Sequence, residues 1–347
     1  MNIFDSNNIL KEISIKDDLT IVIITHNRKE FLCLLIDSLA AAFTKYSDLN
    51  CDIVFCVNGK DQLTDQYLKE VNNKLDPLHT QIITLDKPAT PAEARNIAMI
   101  GVHSEWVMFL DDDVEIPPDL FNNFKKLVNS DPQACLWGGP NLTPDSSTVV
   151  QKKIGWLLQS YLVTGPLSCR YKLNNIEALE CKGTYFSLCN MFVKTQDFKA
   201  ILFNTTLKTA EENELIYRFA QNNKKMKTSD LLYVWHYRRS SIAHFLAQIK
   251  NYGFGRGQLI YNGMMSKSNQ ALILILICML LFFLIRFPVL SMTIGFFWVA
   301  AIFVNLAFDF RFKQNSVSDV LLPLRLWFNY FVGIIKGLSS SYRVSKL

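Results

Sequence analysis

Strand-like and helix-like segments alternate in the first third of the chain. Four segments have the length and apolar character of buried strands: residues 19–24, 52–57, 81–85 and 105–110. Three segments between them carry apolar residues at helical spacing: residues 29–43, 62–75 and 91–100. Strands that alternate with helices predict an α/β fold with a mostly parallel sheet.

The pattern is less regular in the middle of the chain. It predicts helices at residues 119–129 and 210–221. It predicts strands at residues 186–193 and 231–235. An amphipathic helix is predicted at residues 240–252. The glycine-rich stretch 253–257 that follows it is expected to be flexible.

Two long apolar segments lie near the C-terminus. Residues 271–285 are unbroken apolar sequence, residues 289–308 form a second apolar stretch, and Arg286 lies between them. A helix needs about 20 apolar residues to cross a bilayer, so these segments predict a transmembrane helical hairpin. Two buried core helices are the alternative.

Basic residues flank the two apolar segments: Lys250, Arg256 and Lys267 precede them, and Arg311, Lys313, Arg325, Lys336, Arg343 and Lys346 follow. The positive-inside rule then predicts that both ends of the hairpin face the cytoplasm. The main domain is therefore expected at the cytoplasmic face of the cell membrane. Residues 320–338 mix apolar and aromatic side chains with basic ones, which predicts a helix in the membrane interface.

The composition also favours a membrane partner. The chain has 347 residues, of which 50% are hydrophobic, and a net charge of +5. The positive charge lies mainly in the C-terminal third, which suits anionic lipid better than nucleic acid, and no nucleic-acid-binding motif is found. Residues 1–18 form a polar tail without the apolar core of a signal peptide. The eight cysteines show no CxxC pairing, which predicts free buried thiols.

The fourth predicted strand ends in three consecutive acidic residues, Asp111, Asp112 and Asp113. Alternate side chains of an extended chain face the same way, so Asp111 and Asp113 can point at one ligand while Asp112 points away. Carboxylates so close together favour a hard divalent cation, Mg²⁺ or Mn²⁺, which often bridges to phosphates. A solvated acidic turn is the alternative.

Polar residues also follow the first two predicted strands. Residues 25–28 end the first strand and Asn58 follows the second. Ligands of parallel α/β sheets bind outside the carboxyl ends of the strands. These residues and the three aspartates are therefore expected at one edge of the sheet.

The order of these motifs resembles the family 2 glycosyltransferases, which have the GT-A fold. The resemblance covers about residues 19–257, and four segments carry it: the strand and polar end at 19–28, Pro91-Ala92-Glu93-Ala94-Arg95-Asn96, the DXD-type run Phe109-Leu110-Asp111-Asp112-Asp113, and the helix start Ala210-Glu211-Glu212. It implies inverting transfer of a sugar from a nucleotide-diphosphate donor. The chain lacks the Gln-x-x-Arg-Trp motif of processive synthases, which predicts a non-processive enzyme.

The resemblance also implies roles for individual residues. Glu212 would be the catalytic base, although Thr209 to Glu212 also fits a helix capping box. Asp113 would bind the cation, Asp111 would contact the donor ribose or the water shell of the cation, and His236 would either complete the cation site or be structural. The remaining residues are predicted to bind substrate. Those on the donor side are Thr25, Asn27, Asn58 and Arg95, Glu211 lies beside the predicted catalytic base, and Asn190 is on the acceptor side.

These features predict three regions: an N-terminal tail at 1–18, a GT-A domain at 19–262 and a membrane region at 263–347. The GT-A domain would divide into a donor half at 19–115 and an acceptor half at 116–262. The predicted function is glycosyl transfer to a lipid-linked or membrane glycan in the synthesis of a cell-surface polysaccharide or glycolipid. The alternatives are a non-catalytic scaffold that binds nucleotide sugars and a sugar-phosphate nucleotidyltransferase.

Overall fold

The computed structural model describes residues 19–45, 50–71, 75, 78–181, 183, 185–264, 286, 293, 295–297, 300 and 322–339. The chain forms two compact units. The first comprises Met1–Gln159 and Pro166–Ser240, and the second comprises Ser160–Gly165 and Ser241–Leu347.

The first unit is built on a sheet of eight strands in the order β3-β2-β1-β4-β9-β6-β10-β8. The strands of this sheet are β1 Leu19–Thr25, β2 Cys51–Val57, β3 His79–Thr84, β4 Trp106–Asp111, β6 Leu136–Gly138, β8 Leu179–Glu180, β9 Asn190–Lys194 and β10 Met226–Thr228. β1 to β4 run parallel to one another, as predicted. β9 runs antiparallel between β4 and β6 and so extends the sheet beyond the predicted parallel core.

Helices flank the strands along the chain. Their bounds are α1 Lys29–Lys45, α2 Gln62–Val71, α3 Pro91–Ala98, α4 Leu120–Ser130, α5 Val149–Gln159, α6 Tyr161–Thr164, α7 Thr195–Lys199, α8 Glu211–Gln221, α9 Ile242–Tyr261 and α10 Leu322–Leu338, with 3-10 helices at Gly165–Tyr171 and Asp230–Leu232. The α/β class is thus confirmed. The irregular sequence between residues 131 and 210 had left α5, α6 and α7 unpredicted.

Apolar residues cover both faces of the large sheet. Along β1, Ile21 and Ile23 pack into one core with α1 and α4, whereas Val22 packs into the other with α3 and α8. Burial on both faces explains why β1 is an almost continuous apolar run. Beyond the carboxyl ends of β1, β2 and β4 lie Asn27, Asn58 and Asp112, so polar side chains gather at this edge of the sheet.

A second sheet of three strands lies in the same unit, in the order β5-β11-β7. Its strands are β5 Val114–Glu115, β7 Asn141–Leu142 and β11 Val234–His236. β5 follows the three aspartates directly, and its antiparallel pairing with β11 sets His236 opposite Val114. The predicted strand at 231–235 is therefore shorter and later than expected, because a 3-10 helix occupies Asp230–Leu232.

The second unit contains α9 and α10, which pack closely through glycines. A Cβ built on Gly253 would overlap the carbonyl oxygen of Tyr330, and one built on Gly337 would overlap that of Phe254. The prediction of a flexible stretch at 253–257 is therefore wrong. Gly253 and Gly257 lie inside α9 because contact between the two backbones outweighs their low helix propensity.

The structure also corrects the predicted fold class at the C-terminal end. Among the described residues, no helix has both the length and the apolar character needed to cross a membrane. α10 has 17 residues and includes Arg325 and Lys336, and α9 includes Lys250 and Arg256. The predicted spans at 271–285 and 289–308 lie outside the described residues, except for positions 293, 295–297 and 300. The transmembrane hairpin is therefore removed from the fold assignment.

Candidate active site

The strand register brings three polar strand ends together. Ile24 of β1 pairs with Asp111 of β4, and Thr25 pairs with Val57 of β2. Asn58 follows Val57 directly, so it lies at the same edge as Thr25 and Asp111. This edge is where a parallel α/β sheet binds its ligands.

Asp111, Asp113 and His236 form a cluster that could hold a metal ion. One ligand atom from each residue lies within 4.8 Å of the other two. The His236 Nε2 atom is 3.1 Å from the Asp113 Oδ1 atom. The pairing of β5 with β11 creates this contact, because Asp113 directly precedes β5 and His236 ends β11.

Arg28 neutralises part of the acidic run. Its Nη1 atom donates to Asp112 Oδ1 and to Asp113 Oδ2, both at 2.8 Å. Burial raises the pKa of Asp112 to about 6, and Arg28 opposes this rise. Although burial acts in the opposite direction, His236 and Arg28 hold the pKa of Asp113 below its usual range. Asp113 is therefore the more readily ionised of the two.

His236 lies between a carboxylate and a guanidinium. Burial lowers its pKa, but the charge of Asp113 and the hydrogen bonds with Asp113 and Cys189 together raise the pKa to about 9. On the other side of the ring, Nδ1 is 3.0 Å from the Nη1 atom of Arg238. A guanidinium can only donate, so this contact is a hydrogen bond only when Nδ1 is unprotonated. Asp113 and Arg238 thus favour opposite charge states of His236.

Arg95 joins the acidic run to the start of α8. Its Nη2 atom donates to Asp111 Oδ1 at 3.1 Å, and its Nη1 atom donates to Glu211 Oε1 at 3.0 Å. Its guanidinium also lies over the ring of Phe203, 5.9 Å from the centroid. Arg95 is 9% exposed, so these contacts orient Asp111 and Glu211 together in a poorly solvated site.

Glu212, the second residue of α8, lies beside this network. The helix N-cap is Ala210, which has a left-handed φ of 65° and makes no side-chain cap. The capping-box interpretation of Glu212 is therefore not realised. Its Oε1 atom accepts from Asn213 Nδ2 at 2.7 Å. Burial, and then the Glu211 charge, raise the pKa of Glu212 to about 7, while Arg170 lowers it. A carboxyl with this pKa can accept a proton near neutral pH.

The charges at this edge fit a divalent cation. Asp111, Asp112, Asp113 and Glu211 supply four carboxyl groups, whereas Arg28 and Arg95 supply two fixed positive charges at hydrogen-bond distance. Carboxylate oxygens and an imidazole nitrogen suit Mg²⁺ or Mn²⁺. The ligand atoms of Asp111, Asp113 and His236 lie within 4.8 Å of one another, so small side-chain movements would bring them to the spacing of ligands around such an ion.

The residues predicted for the donor side take different positions. Thr25 is buried at the end of β1. Asn27 has a left-handed φ of 52°, and its backbone N–H donates to Asp61 Oδ2 at 2.8 Å. The Asn58 amide bonds the backbone of Ala89 in both directions, at 3.0 and 2.8 Å, and so fastens the loop before α3.

Asn190, predicted for the acceptor side, is completely buried. Its Nδ2 atom donates to the carbonyl oxygen of Leu232 at 2.7 Å, so the side chain joins β9 to the 3-10 helix before β11. It does not face an open surface. In the described structure its side chain therefore connects two segments of the first unit.

No role was predicted for three residues of this region. Arg28 belongs to the predicted polar end at residues 25–28, and a cation there could have been matched to the acidic run. Asp61 both accepts from Asn27 and caps α2 by accepting from the Thr64 N–H at 3.2 Å. Arg170 acts on Glu212 from a 3-10 helix whose position no local pattern indicates.

The family model described as Glycosyl transferase family 2 matches residues 20–194. No curated protein matches the chain. Among solved structures, the chain is similar to a mannosyltransferase, PcManGT from Pyrobaculum calidifontis in complex with GDP-Man and Mn²⁺, with a TM-score of 0.58 and 12% identity over 95% of this chain and 89% of that one. It is also similar to S. aureus TarS 1–349, with a TM-score of 0.48 and 16% identity over 73% and 68%. The longer TarS chain is covered to 41%.

Proposed function

The chain belongs to glycosyl transferase family 2 and is a glycosyltransferase, and we propose that it moves a sugar from a nucleotide-diphosphate donor to a lipid-linked or membrane-proximal glycan with inversion at the anomeric carbon. One observation carries the proposal. Arg95 joins Asp111 of the acidic run to Glu211, the neighbour of Glu212, so one arginine links the proposed cation ligands to the helix start that carries the proposed base.

In the proposed reaction, Glu212 removes the proton of the acceptor hydroxyl. The hydroxyl oxygen then attacks the anomeric carbon from the side opposite the diphosphate, and the bond to the diphosphate breaks. Inversion follows from this single displacement. The raised pKa of Glu212 suits the role, because a base works best when its pKa lies near the working pH.

Asp111, Asp113 and His236 would hold a divalent cation, Mg²⁺ or Mn²⁺. Such a cation, when bound, offsets the negative charge of the departing diphosphate. Arg95 keeps Asp111 oriented, and Arg28 balances the charge of Asp112 and Asp113. The Mn²⁺ in the mannosyltransferase complex is consistent with this assignment. Thr25, Asn27 and Asn58 would form the side of the donor pocket that contacts the nucleobase and the ribose.

The proposed acceptor lies at a membrane, and the proposed location is the cytoplasmic face of the cell membrane. Two features support this. The described part of the second unit carries no Asp or Glu and exposes apolar side chains on α10. The described cysteines are free thiols, as expected in a reducing compartment.

The proposed function is tested by incubating the purified full chain with Mn²⁺ and a panel of UDP- and GDP-sugars. Release of nucleotide diphosphate from one donor is the expected result, and NMR of the product should show the inverted anomeric configuration. Binding of a donor without any release, with acceptor lipids present, would favour the non-catalytic scaffold instead.

The rate is expected to depend on pH through Glu212. The base is active when deprotonated, so kcat at saturating donor and Mn²⁺ should fall about tenfold per unit below pH 7 and level off above it. Arg170 lowers the pKa of Glu212, so Arg170→Gln should move the inflection to higher pH while the plateau remains. An inflection that stays in place in Arg170→Gln would show that another group controls the profile.

A further inference from the structure

α10 presents an exposed apolar arc in the second unit. Phe328 is 69% exposed, Phe331 38%, Ile335 66% and Leu338 37%. Their spacing of three, four and three residues keeps them within about 80° of one another around the helix. Large apolar side chains grouped in this way on a surface mark a contact with another apolar phase or molecule.

The opposite face of α10 packs against α9. Gly333 and Gly337 lie against the backbone of α9, with Leu326 and Ile334 buried on the same side. The glycines bring the two helices so close that neither can rotate to hide the apolar arc without losing this contact. The arc is therefore a fixed feature of the helix pair.

The charge around the arc has one sign. Arg325 and Lys336 are both exposed on one edge of it, about 20° apart around the helix and about 16 Å apart along its axis. Lys250 and Arg256 lie on α9. No aspartate or glutamate occurs among the described residues of the second unit. Such a surface complements an anionic one.

We propose that the apolar arc of α10 (Phe328, Phe331, Ile335 and Leu338) lies in the surface of an anionic lipid bilayer, with Arg325 and Lys336 at the headgroups. A helix with an apolar face and basic rim binds such an interface without crossing it. A second copy of the chain is a poorer occupant, because two cationic rims would be brought together. The inference deepens the proposed function. It depends on that function only for the proposal that the acceptor lies at a membrane.

The test is flotation of the full chain with vesicles of phosphatidylcholine alone or with phosphatidylglycerol. Binding to the anionic vesicles is expected to be stronger and to weaken as salt is raised. Phe328→Ser with Ile335→Ser should lower the partition coefficient at least about tenfold. Arg325→Gln with Lys336→Gln should lower it about 30-fold on anionic vesicles only. Leu63→Ser is the matched control, because Leu63 is 72% exposed in the first unit and should not matter.

Contact by α10 itself is measured with brominated lipids, which quench nearby tryptophans. Trp327 lies beside the arc, so part of the quenching should disappear in Trp327→Phe.

Unchanged vesicle binding in both double variants, or equal quenching in Trp327→Phe, would overturn the inference. Self-association that the serine variants abolish would assign the arc to a second copy. Release of nucleotide diphosphate, measured without vesicles, should be the same in all these variants, so failure here is separate from failure of the proposed function.

Discussion

Glu212→Gln is expected to lower kcat about 10²- to 10⁴-fold while donor binding and the fold are retained. Glutamine keeps the oxygen that accepts from Asn213 but cannot take a proton from the acceptor. The variant should also lose the inflection near pH 7 from whatever activity remains. The measurement is steady-state release of nucleotide diphosphate in the presence of acceptor, with donor binding followed by calorimetry.

Stability gives an independent check on Glu212→Gln. The pKa of Glu212 is about 7 in the folded protein, against an ordinary value of 4.5. Its contribution to stability is therefore complete below about pH 4.5 and is lost as the pH rises through 7. At pH 8 the variant should unfold at the same temperature as the native chain or a higher one. Near-normal kcat in a folded variant would contradict the role of Glu212 as base.

Glu214→Gln is the matched control from the same helical turn. Glu214 accepts from Arg218 at 2.6 Å, and its side chain is 2% exposed. Loss of this buried charge should lower the free energy of unfolding by about 1–3 kcal/mol. Because Glu214 forms an ion pair with Arg218, kcat below the melting temperature should change little. The two variants thus separate a catalytic effect from a structural one.

Asp113→Asn is expected to reduce turnover about 10³-fold or more and to raise the Mn²⁺ concentration needed for half-maximal rate. The change removes the charge of the central carboxylate of the cation cluster, and cation stabilisation of a leaving group contributes several kcal/mol. EDTA should likewise abolish turnover of the native chain, and added Mn²⁺ should restore it. Turnover that persists in EDTA would exclude the proposed use of a cation.

Asp112→Asn provides the comparison for Asp113. Asp112 is also buried and also accepts from Arg28 at 2.8 Å, but it is not part of the cation cluster. The variant should therefore retain the Mn²⁺ dependence of the native chain, with at most a modest loss of stability. Equal Mn²⁺ dependence in the two variants would place the cation elsewhere in the acidic run.

Local pattern determined the elements of the parallel core. The apolar runs of β1, β2 and β4 and the helical spacing of α1 are properties of short segments, so they could be interpreted without knowledge of the fold. The predicted alternation does not continue through the acidic run, because β4 ends at Asp111 and the same Arg28 nitrogen binds both Asp112 and Asp113. The position of the acidic run at the end of a strand follows from the point where apolar sequence stops.

Other features depended on contacts between distant parts of the chain. Arg95 and Glu211 are 116 residues apart, and Arg28 and Asp112 are 84 apart. No short-range pattern encodes such pairs. The pKa of Glu212 likewise depends on burial and on Glu211 and Arg170 together. The sequence motif around Thr209 fits both a cap and a base, and the left-handed turn at Ala210 excludes the cap.

The second unit shows the limit of local pattern most clearly. Gly253 and Gly257 have low helix propensity, yet they lie within α9 because only glycine permits the close approach of α10. Apolar length alone predicted a transmembrane hairpin, which the described helices do not support. The sequence by itself thus determined the strands and helices of the parallel core and the acidic end of β4. The tertiary structure alone decided which charges meet, because Coulomb interactions and desolvation depend on distance and burial, not on position along the chain.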